Sequence, residues 1–163
     1  MKKVLLLAAI AVFGLTSVNA QDTQFGVKAG IDIMSQTVAG FSVSSTNVYF
    51  GGFAEIELDS FTLQPEVIYV AATGGGLVHV PVMAKFNLSD EFNLLAGPAL
   101  GFLTNSGGGK SFNYGIEAGV AYDISEALFL EARYSLGLAD FAPDGAGFTS
   151  KLNGFFIGAG YRL

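Results

Sequence analysis

The chain has 163 residues, 22 of them glycine and none of them cysteine or tryptophan, and its formal net charge is −6. Half of the residues are hydrophobic (51%), only 13% are charged, and the mean hydropathy of +0.50 is high for a chain whose length fits one domain. This composition excludes a disordered chain, a basic nucleic-acid-binding protein and a disulfide scaffold or thiolate metal site.

Residues 1–20 have the pattern of a cleaved export signal. Lys2 and Lys3 form a positive start, an apolar run covers residues 4–15, and the small residues of 18–20 (VNA) suit cleavage. A membrane-spanning helix needs about 20 apolar residues, so this run is too short for one. We therefore expect residues 1–20 to be removed and residues 21–163 to form the folded domain of an exported protein.

After residue 20, apolar and other residues alternate with a period of two, which is typical of β-strands with two different faces. One face of the first predicted strand carries Phe25, Val27, Ile31 and Ile33, and the same pattern recurs along the chain. We predict eight strands, at about 24–35, 46–58, 61–71, 77–88, 92–103, 112–122, 127–138 and 152–163.

The opposite faces of these strands carry the charges. In a soluble β-sandwich or a lipocalin the charged face meets water, whereas in a membrane barrel the polar face lines the interior and the apolar face meets lipid. Periodicity alone does not choose between these folds. The residues assigned to the charged faces, and in a membrane barrel to a structural charge network in the lumen, are Lys28, Asp32, Glu55, Glu57, Glu66, Lys85, Glu117, Glu131, Arg133 and Arg162.

The predicted connections favour the membrane barrel, because they alternate in length. Short turns with longer outer loops are typical of outer-membrane barrels, and the predicted strands have roughly the 9–11 residues that span a bilayer when tilted. The short acidic connections are 59–60, 89–91 and 123–126, and the mostly longer ones are 36–45, 72–76, 104–111 and 139–151.

Aromatic residues of the apolar faces concentrate at strand ends, as they do in the two interfacial girdles of membrane barrels. We assign Phe25, Phe61, Phe86, Phe92, Tyr122 and Tyr161 to the periplasmic rim, and Phe50, Tyr69, Phe102, Phe112 and Tyr134 to the outer rim. The predicted fold is therefore all-β, an eight-stranded antiparallel up-and-down transmembrane β-barrel, whose closure leaves no unpaired backbone in lipid.

Short stretches spread over the chain resemble the PorT-type outer-membrane β-barrel family. The resemblance implies an eight-stranded barrel of the OmpX and OmpA transmembrane type, and one branch of the family belongs to a protein-secretion system. The stretches that carry it are 24–30 (QFGVKAG), 63–69 (LQPEVIY), 80–85 (VPVMAK), 96–98 (AGP), 132–137 (ARYSLG) and 158–162 (GAGYR).

The last predicted strand is expected to serve as the signal that the barrel-assembly machinery recognises during insertion. Its apolar face carries Phe155, Ile157, Tyr161 and Leu163. Assembly signals of such barrels usually end in phenylalanine, whereas this chain ends in Leu163, with Tyr161 at the penultimate aromatic spacing.

Residues that resemble catalytic or binding motifs have simpler interpretations. Residues 104–111 (TNSGGGKS) end like a phosphate-binding loop, but the first glycine is missing and a strand follows where a helix is needed. His79 is the single histidine, so neither a His-based metal cluster nor a triad with a motif-placed serine is predicted. Glu55 and Glu57 would lie about 6–7 Å apart on one strand face, a spacing that glycosidases use, but basic neighbours favour a salt-bridged lumen.

Two functional classes remain open. Eight strands enclose an interior that side chains can fill, which favours a structural or interaction protein with a plugged lumen and displayed extracellular loops. The alternative is a small transport or lipid-modifying barrel enzyme. We expect no enzymatic activity, no cofactor, no metal and no nucleic-acid partner. We expect a monomer in the Gram-negative outer membrane that contacts lipid, the assembly machinery during insertion, and a protein partner through its outer loops.

Overall fold

The computed structural model describes residues 23–38, 40–105, 111–140, 142 and 150–163, so the predicted export signal at 1–20 lies outside the described residues. No helix within these ranges is long and apolar enough to cross a membrane. The strands are β1 (Thr23–Val38), β2 (Phe41–Glu57), β3 (Thr62–Ala72), β4 (Gly75–Asn87), β5 (Phe92–Leu103), β6 (Phe112–Asp123), β7 (Leu128–Gly137) and β8 (Ser150–Arg162).

The eight strands form one closed barrel. Each strand pairs antiparallel with its neighbours along the chain, and β8 closes the barrel by pairing with β1 from Gly26↔Arg162 to Val38↔Ser150. The predicted fold class is therefore confirmed. Because the barrel is closed, every strand in its wall has a neighbouring strand on each side with which its backbone N–H and C=O groups can bond. Strands can cross a membrane only when this condition is met.

The two ends of the barrel differ in their connections. At one end, which we call the turn end, β2–β3, β4–β5 and β6–β7 are joined by residues 58–61, 88–91 and 124–127. Backbone hydrogen bonds close these turns, as from Leu58 N–H to Phe61 O (3.0 Å) and from Leu88 N–H to Phe92 O (2.8 Å). The opposite end, the loop end, has the connections 39–40, 73–74, 104–111 and 138–149.

Two connections at the loop end are shorter than predicted. The expectation of a loop at 36–45 is wrong, because β1 continues to Val38 and β2 begins at Phe41, whereas the connection predicted at 72–76 is present but shortened to residues 73–74. Gly40 (φ +86°) and Gly74 (φ +85°) supply the left-handed backbone that such tight turns need. Residues 36–38 and 41–45 therefore lengthen β1 and β2, and the backbones of these two strands pair with each other up to the turn.

The two faces of the strands are distributed as the period-two pattern predicts. Large apolar side chains on the outward face are exposed, among them Val27 (51%) and Ile116 (54%), whereas most inward side chains away from the strand ends are buried. Inward glycines leave room for large inward neighbours: a Cβ at Gly158 would lie 2.2 Å from the Tyr49 hydroxyl, and one at Gly160 would lie 2.1 Å from the Phe129 ring. Small and large residues thus fill the interior together.

Predicted girdle residues contact each other across neighbouring strands at both ends of the barrel. At the turn end, the ring centroids of Phe61 and Phe86 are 5.6 Å apart and those of Phe92 and Tyr122 are 4.9 Å apart. At the loop end, Phe50 lies 5.8 Å from Tyr69, and Phe102 lies 5.1 Å from Phe112. These tilted pairs form two bands of aromatic side chains around the outer surface.

Gly97 on β5 is expected to be intolerant of any side chain. A Cβ at this position would lie 2.0 Å from the Val82 carbonyl oxygen and 3.0 Å from the Met83 Cα, so backbone would have to move. We expect Gly97→Ala to lower the free energy of unfolding by about 1–3 kcal/mol, measured by urea unfolding in detergent micelles. The control is Gly52→Ala, whose Cβ would have its nearest neighbour at 3.5 Å. Equal stability of the two variants would contradict the packing described here.

Candidate functional site

The charged residues of the barrel meet in its interior. Glu57 has the same inward orientation as Glu55 but stands last in β2, at the open turn end, and is exposed. Its assignment to the interior network is therefore wrong. The other nine predicted residues are buried: Lys28, Asp32, Glu55, Glu66, Lys85, Glu117, Glu131, Arg133 and Arg162.

Arg133 on β7 lies among three carboxylates. Its Nη1 atom is 3.0 Å from Glu66 and 3.4 Å from Glu117, and its Nη2 atom is 3.3 Å from Glu131. All four side chains have no exposed surface. A guanidinium group suits this position, because its planar set of donors can face several carboxylates at once.

Lys28 and His79 complete this group of charges. The Lys28 Nζ atom is 2.8 Å from Glu131 and 3.0 Å from Glu66, so each of these carboxylates contacts two cations. His79 Nε2 is hydrogen-bonded to Glu117. We call the set the central cluster; its members are Lys28, Glu66, His79, Glu117, Glu131 and Arg133.

The residues around Arg133 make room for it and pack against it. Gly119 is its partner on β6, and a Cβ there would lie 2.6 Å from the Arg133 Cγ atom. The Phe156 ring lies 5.7 Å from the guanidinium carbon and stacks on His79, with 5.3 Å between ring centroids. The glycine and the aromatic ring together hold the arginine in one place.

A second charged group lies near the turn end. Glu55 accepts hydrogen bonds from Arg162 Nε (2.7 Å) and from Lys85 Nζ (3.1 Å), and Arg162 Nη2 donates to Asp123 (2.7 Å). We call Glu55, Lys85, Asp123 and Arg162 the turn-end cluster. Its two acids and two bases balance.

Asp123 is a member of the turn-end cluster that the sequence prediction missed. It was assigned to a connection, although it is the last residue of β6 and lies on the same strand face as Glu117. Continuing the period-two count by one more step from residue 121 would have placed it inside the barrel. Its carboxylate also accepts a hydrogen bond from the Asn93 side chain at 2.6 Å.

An apolar layer separates the two clusters. It consists of Phe53, Met83, Leu95, Ala121 and Phe129. On β2, β4, β5 and β6, the residue in this layer is the next inward-facing residue after the inward-facing polar residues nearest the turn end. The Phe129 ring lies 4.8 Å from the Arg162 guanidinium and 5.9 Å from the ammonium groups of Lys28 and Lys85. Charges in such surroundings interact more strongly than in water, and an unpaired one is costly.

Among the residues that the structure describes, Asp32 is the one buried carboxylate outside both clusters. Its side chain has no exposed surface, and neither of its oxygens has a hydrogen-bond partner among the residues that the structure describes. The ten residues assigned to the interior from the sequence include six acids and only four bases, so two carboxylates exceed the bases; the buried Asp32 and the exposed Glu57 are the two that pair with none of these bases in the described residues.

Several solved structures have the same fold. The chain matches Ail, the attachment invasion locus protein of Yersinia pestis, with a TM-score of 0.57 and 16% identity over 88% of this chain and 100% of Ail. It matches Neisserial surface protein A with a TM-score of 0.53 and 16% identity, over 88% of this chain and 99% of that protein. The fold is that of an eight-stranded outer-membrane β-barrel.

The fold does not by itself indicate an activity. A de novo designed transmembrane β-barrel also matches, with a TM-score of 0.51 and 13% identity over 86% of this chain and 95% of the design. No family model matches the chain, and no curated protein matches it. Function has to be argued from the residues of this chain.

Proposed function

We propose that this protein is an integral outer-membrane barrel with a plugged polar lumen, which serves as a structural or interaction protein and displays its loop end outside the cell. In this proposal residues 1–20 are the cleaved export signal, and the protein is a monomeric member of the PorT-type family with no enzymatic activity. The resemblance of the short stretches quoted above supports the family.

One observation carries the membrane location: the surface is apolar and the interior is charged. Arg133, Glu66 and Glu117 are inside with no exposed side-chain surface, whereas Phe50 (56%) and Tyr161 (52%) are exposed on the outside. A barrel in water has the opposite distribution, and only a lipid environment makes the observed one favourable. The aromatic bands at the two ends supply the interfacial contacts that this location requires.

The arrangement of interior side chains supports a plugged lumen. Two charged clusters, an apolar layer between them and a second apolar cluster nearer the loop end follow one another along the barrel. The buried residues of that second cluster are Tyr49, Ile68, Val70, Leu77 and Phe156. A continuous column of water through the barrel would have to displace paired charges in the two clusters and packed apolar side chains in the two apolar layers.

The β1–β2 hairpin supports an interaction role for the loop end. Residues 41–47 of β2 pair with β1, whereas the β2–β3 ladder begins at Val48↔Ala71, so among the described residues the other edge of this part of β2 has no strand partner. Phe41 (82%) and Val43 (73%) are among the most exposed apolar residues on the molecule. Exposed strand edges are sites at which extended segments of other proteins add a strand.

The alternative of a lipid-modifying enzyme is weaker. Ser135 lines the same small cavity as His79, but His79 Nε2 bonds Glu117 and Nδ1 has no partner within the described part of the chain. The cavity volume is about 10 Å³, which leaves no space for an acyl chain or a sugar. We therefore propose no catalytic role for these residues.

The C-terminal strand is proposed as the assembly signal. Phe155 (38%), Ile157 (42%), Tyr161 (52%) and Leu163 (77%) are all exposed on the outward side of the barrel wall. A row of this kind on the last strand supports recognition by the assembly machinery during insertion.

Cysteine labelling tests the proposed location and orientation. Ser45, in the β1–β2 hairpin, and Ser60, in a turn-end connection, are both exposed, so each cysteine variant should react in solubilised protein. On intact cells we expect an impermeant thiol reagent to label Ser45→Cys and not Ser60→Cys. The predicted outer positions Ser106 and Gly145 lie outside the described residues and extend the same experiment. Labelling of Ser60→Cys alone would reverse the orientation, and recovery of the protein in the soluble fraction would refute the membrane location.

A further inference from the structure

A small cavity between the central cluster and the loop end has polar walls whose atoms lack partners. Asp32 on β1, His79 on β4 and Asn113 on β6 line it together with Ser135 and Asn153, and apolar side chains that include Met34 and Leu77 line most of the remainder. The three polar residues are 0%, 3% and 6% exposed. The cavity volume of about 10 Å³ suits one particle of about the size of a water molecule.

Four atoms of these three side chains lack a hydrogen-bond partner within the described part of the chain: both Asp32 oxygens, His79 Nδ1 and Asn113 Oδ1. The Asn47 amide, opposite Asp32 in the β1–β2 ladder, donates to the Ser45 hydroxyl and lies near the Asp32 carboxylate without reaching hydrogen-bond geometry with it. Buried polar atoms nearly always have a partner. Four unpartnered atoms around one small space therefore indicate a bound species that donates to them or binds their lone pairs.

The hydrogen bond on the other side of His79 prepares its Nδ1 atom as a ligand. His79 Nε2 donates to the Glu117 carboxylate, and in a neutral imidazole held in this way the lone pair is on Nδ1. Carboxylates orient metal-binding imidazoles in this way in many metal sites. A glycine keeps the space open, since a Cβ at Gly154 would lie 2.8 Å from Asp32 Oδ1.

The charge of the interior indicates the sign and size of the bound species. The turn-end cluster is balanced, with two acids and two bases. Asp32 and the three carboxylates of the central cluster face only two permanent cations, Lys28 and Arg133. This part of the described interior therefore holds four carboxylates against two permanent cations, so a further positive charge beside Asp32 would be stabilised there.

We propose that this cavity binds one divalent transition-metal ion, with Asp32, His79 and Asn113 as its protein ligands. Imidazole nitrogen together with carboxylate and carbonyl oxygen is a donor set that suits such ions. No group of three His, Cys, Asp or Glu side chains in the described ranges is placed to hold a metal, and here the Asn113 carbonyl oxygen is the third ligand. The ion neutralises the excess charge and joins β1, β4 and β6 across the interior. This site departs from the sequence-based expectation that the barrel has no metal.

The test is calorimetric titration of the folded, chelator-treated barrel in detergent micelles with ZnCl₂. We expect one Zn²⁺ per barrel, and binding at least about tenfold weaker in Asp32→Asn, His79→Gln and Asn113→Ala. Glu57→Gln, which removes an exposed carboxylate outside both clusters, should bind as the parent does. A parallel titration with CoCl₂ should give visible absorption bands of bound Co²⁺ that His79→Gln loses.

The melting temperature with and without Zn²⁺ supplies a second measurement for every variant that folds. Zn²⁺ should raise it in the parent barrel and in Glu57→Gln, and should raise it less in Asn113→Ala, the one of the three changes that removes no ionisable side chain. Absence of saturable binding by the parent barrel would overturn the proposal and leave Asp32 neutralised by a proton or bonded to water. Binding of Ca²⁺ at the same stoichiometry, unchanged by His79→Gln, would also overturn it.

Discussion

Arg133→Met should be among the most destabilising single substitutions in this barrel. It would leave Glu66, Glu117 and Glu131 buried with Lys28 as their only permanently charged cationic neighbour among the described residues. Removing one partner of a buried ion pair costs about 3–5 kcal/mol, because an uncompensated charge stays in the interior. The measurement is a gel of samples heated to increasing temperatures. We expect the temperature at which the folded band is replaced by the unfolded band to be clearly lower for Arg133→Met than for the parent barrel.

The control for Arg133→Met is Lys151→Met, which makes the same type of change at an exposed position near the start of β8. That variant should keep the conversion temperature of the parent barrel. Adding Glu66→Gln to Arg133→Met should recover part of the loss, because it removes one of the uncompensated carboxylates. If Arg133→Met and Lys151→Met behaved alike, the central cluster would not stabilise the fold.

A charge on the outer face at mid-height should have the second large effect. Val67 lies midway along β3, on the outward face, with the buried Glu66 directly before it. We expect Val67→Arg to cost about 2–4 kcal/mol of folding free energy in lipid vesicles, because a guanidinium near the bilayer midplane is poorly solvated. The measurement is equilibrium unfolding in denaturant, followed by tyrosine fluorescence in vesicles.

Val43→Arg is the matched control for Val67→Arg. Val43 is 73% exposed on the β1–β2 hairpin, beyond the loop-end aromatic band, so its substitution should change the unfolding free energy by less than about 0.5 kcal/mol. A similar, small effect at both positions would mean that the outward face of β3 does not meet lipid.

Strand positions and faces could be predicted from this sequence because the side-chain direction in a strand has a period of two. Lys28, Glu66 and Arg133 each stand between outward apolar neighbours, and their burial follows directly from that pattern. The ends of strands were less predictable. Residues 36–45 look like a polar loop, yet Thr37↔Ser42 and Val38↔Phe41 pair in the structure, because Ser, Thr and Val suit an extended hairpin as well as a loop.

The partners of the interior charges could not be predicted from the sequence. Lys28 and Glu131 are 103 positions apart and Arg162 and Glu55 are 107 apart, and their contacts depend on the stagger of eight strands around the barrel. The same stagger brings Asp32, His79 and Asn113 to one cavity from three strands. A pattern within one strand indicates that a residue points inward, but not which residue it meets there.

The central claim is that paired charges and packed rings close the lumen, and conductance measures this directly. Purified barrel inserted into a planar lipid bilayer should give no stable channels, and Glu55→Gln should leave the bilayer equally silent, because the central cluster and both apolar layers remain in place. Stable, ion-selective channels whose conductance or selectivity changes with substitution of Glu55 or Arg133 would show an open lumen lined by these residues and would contradict the account.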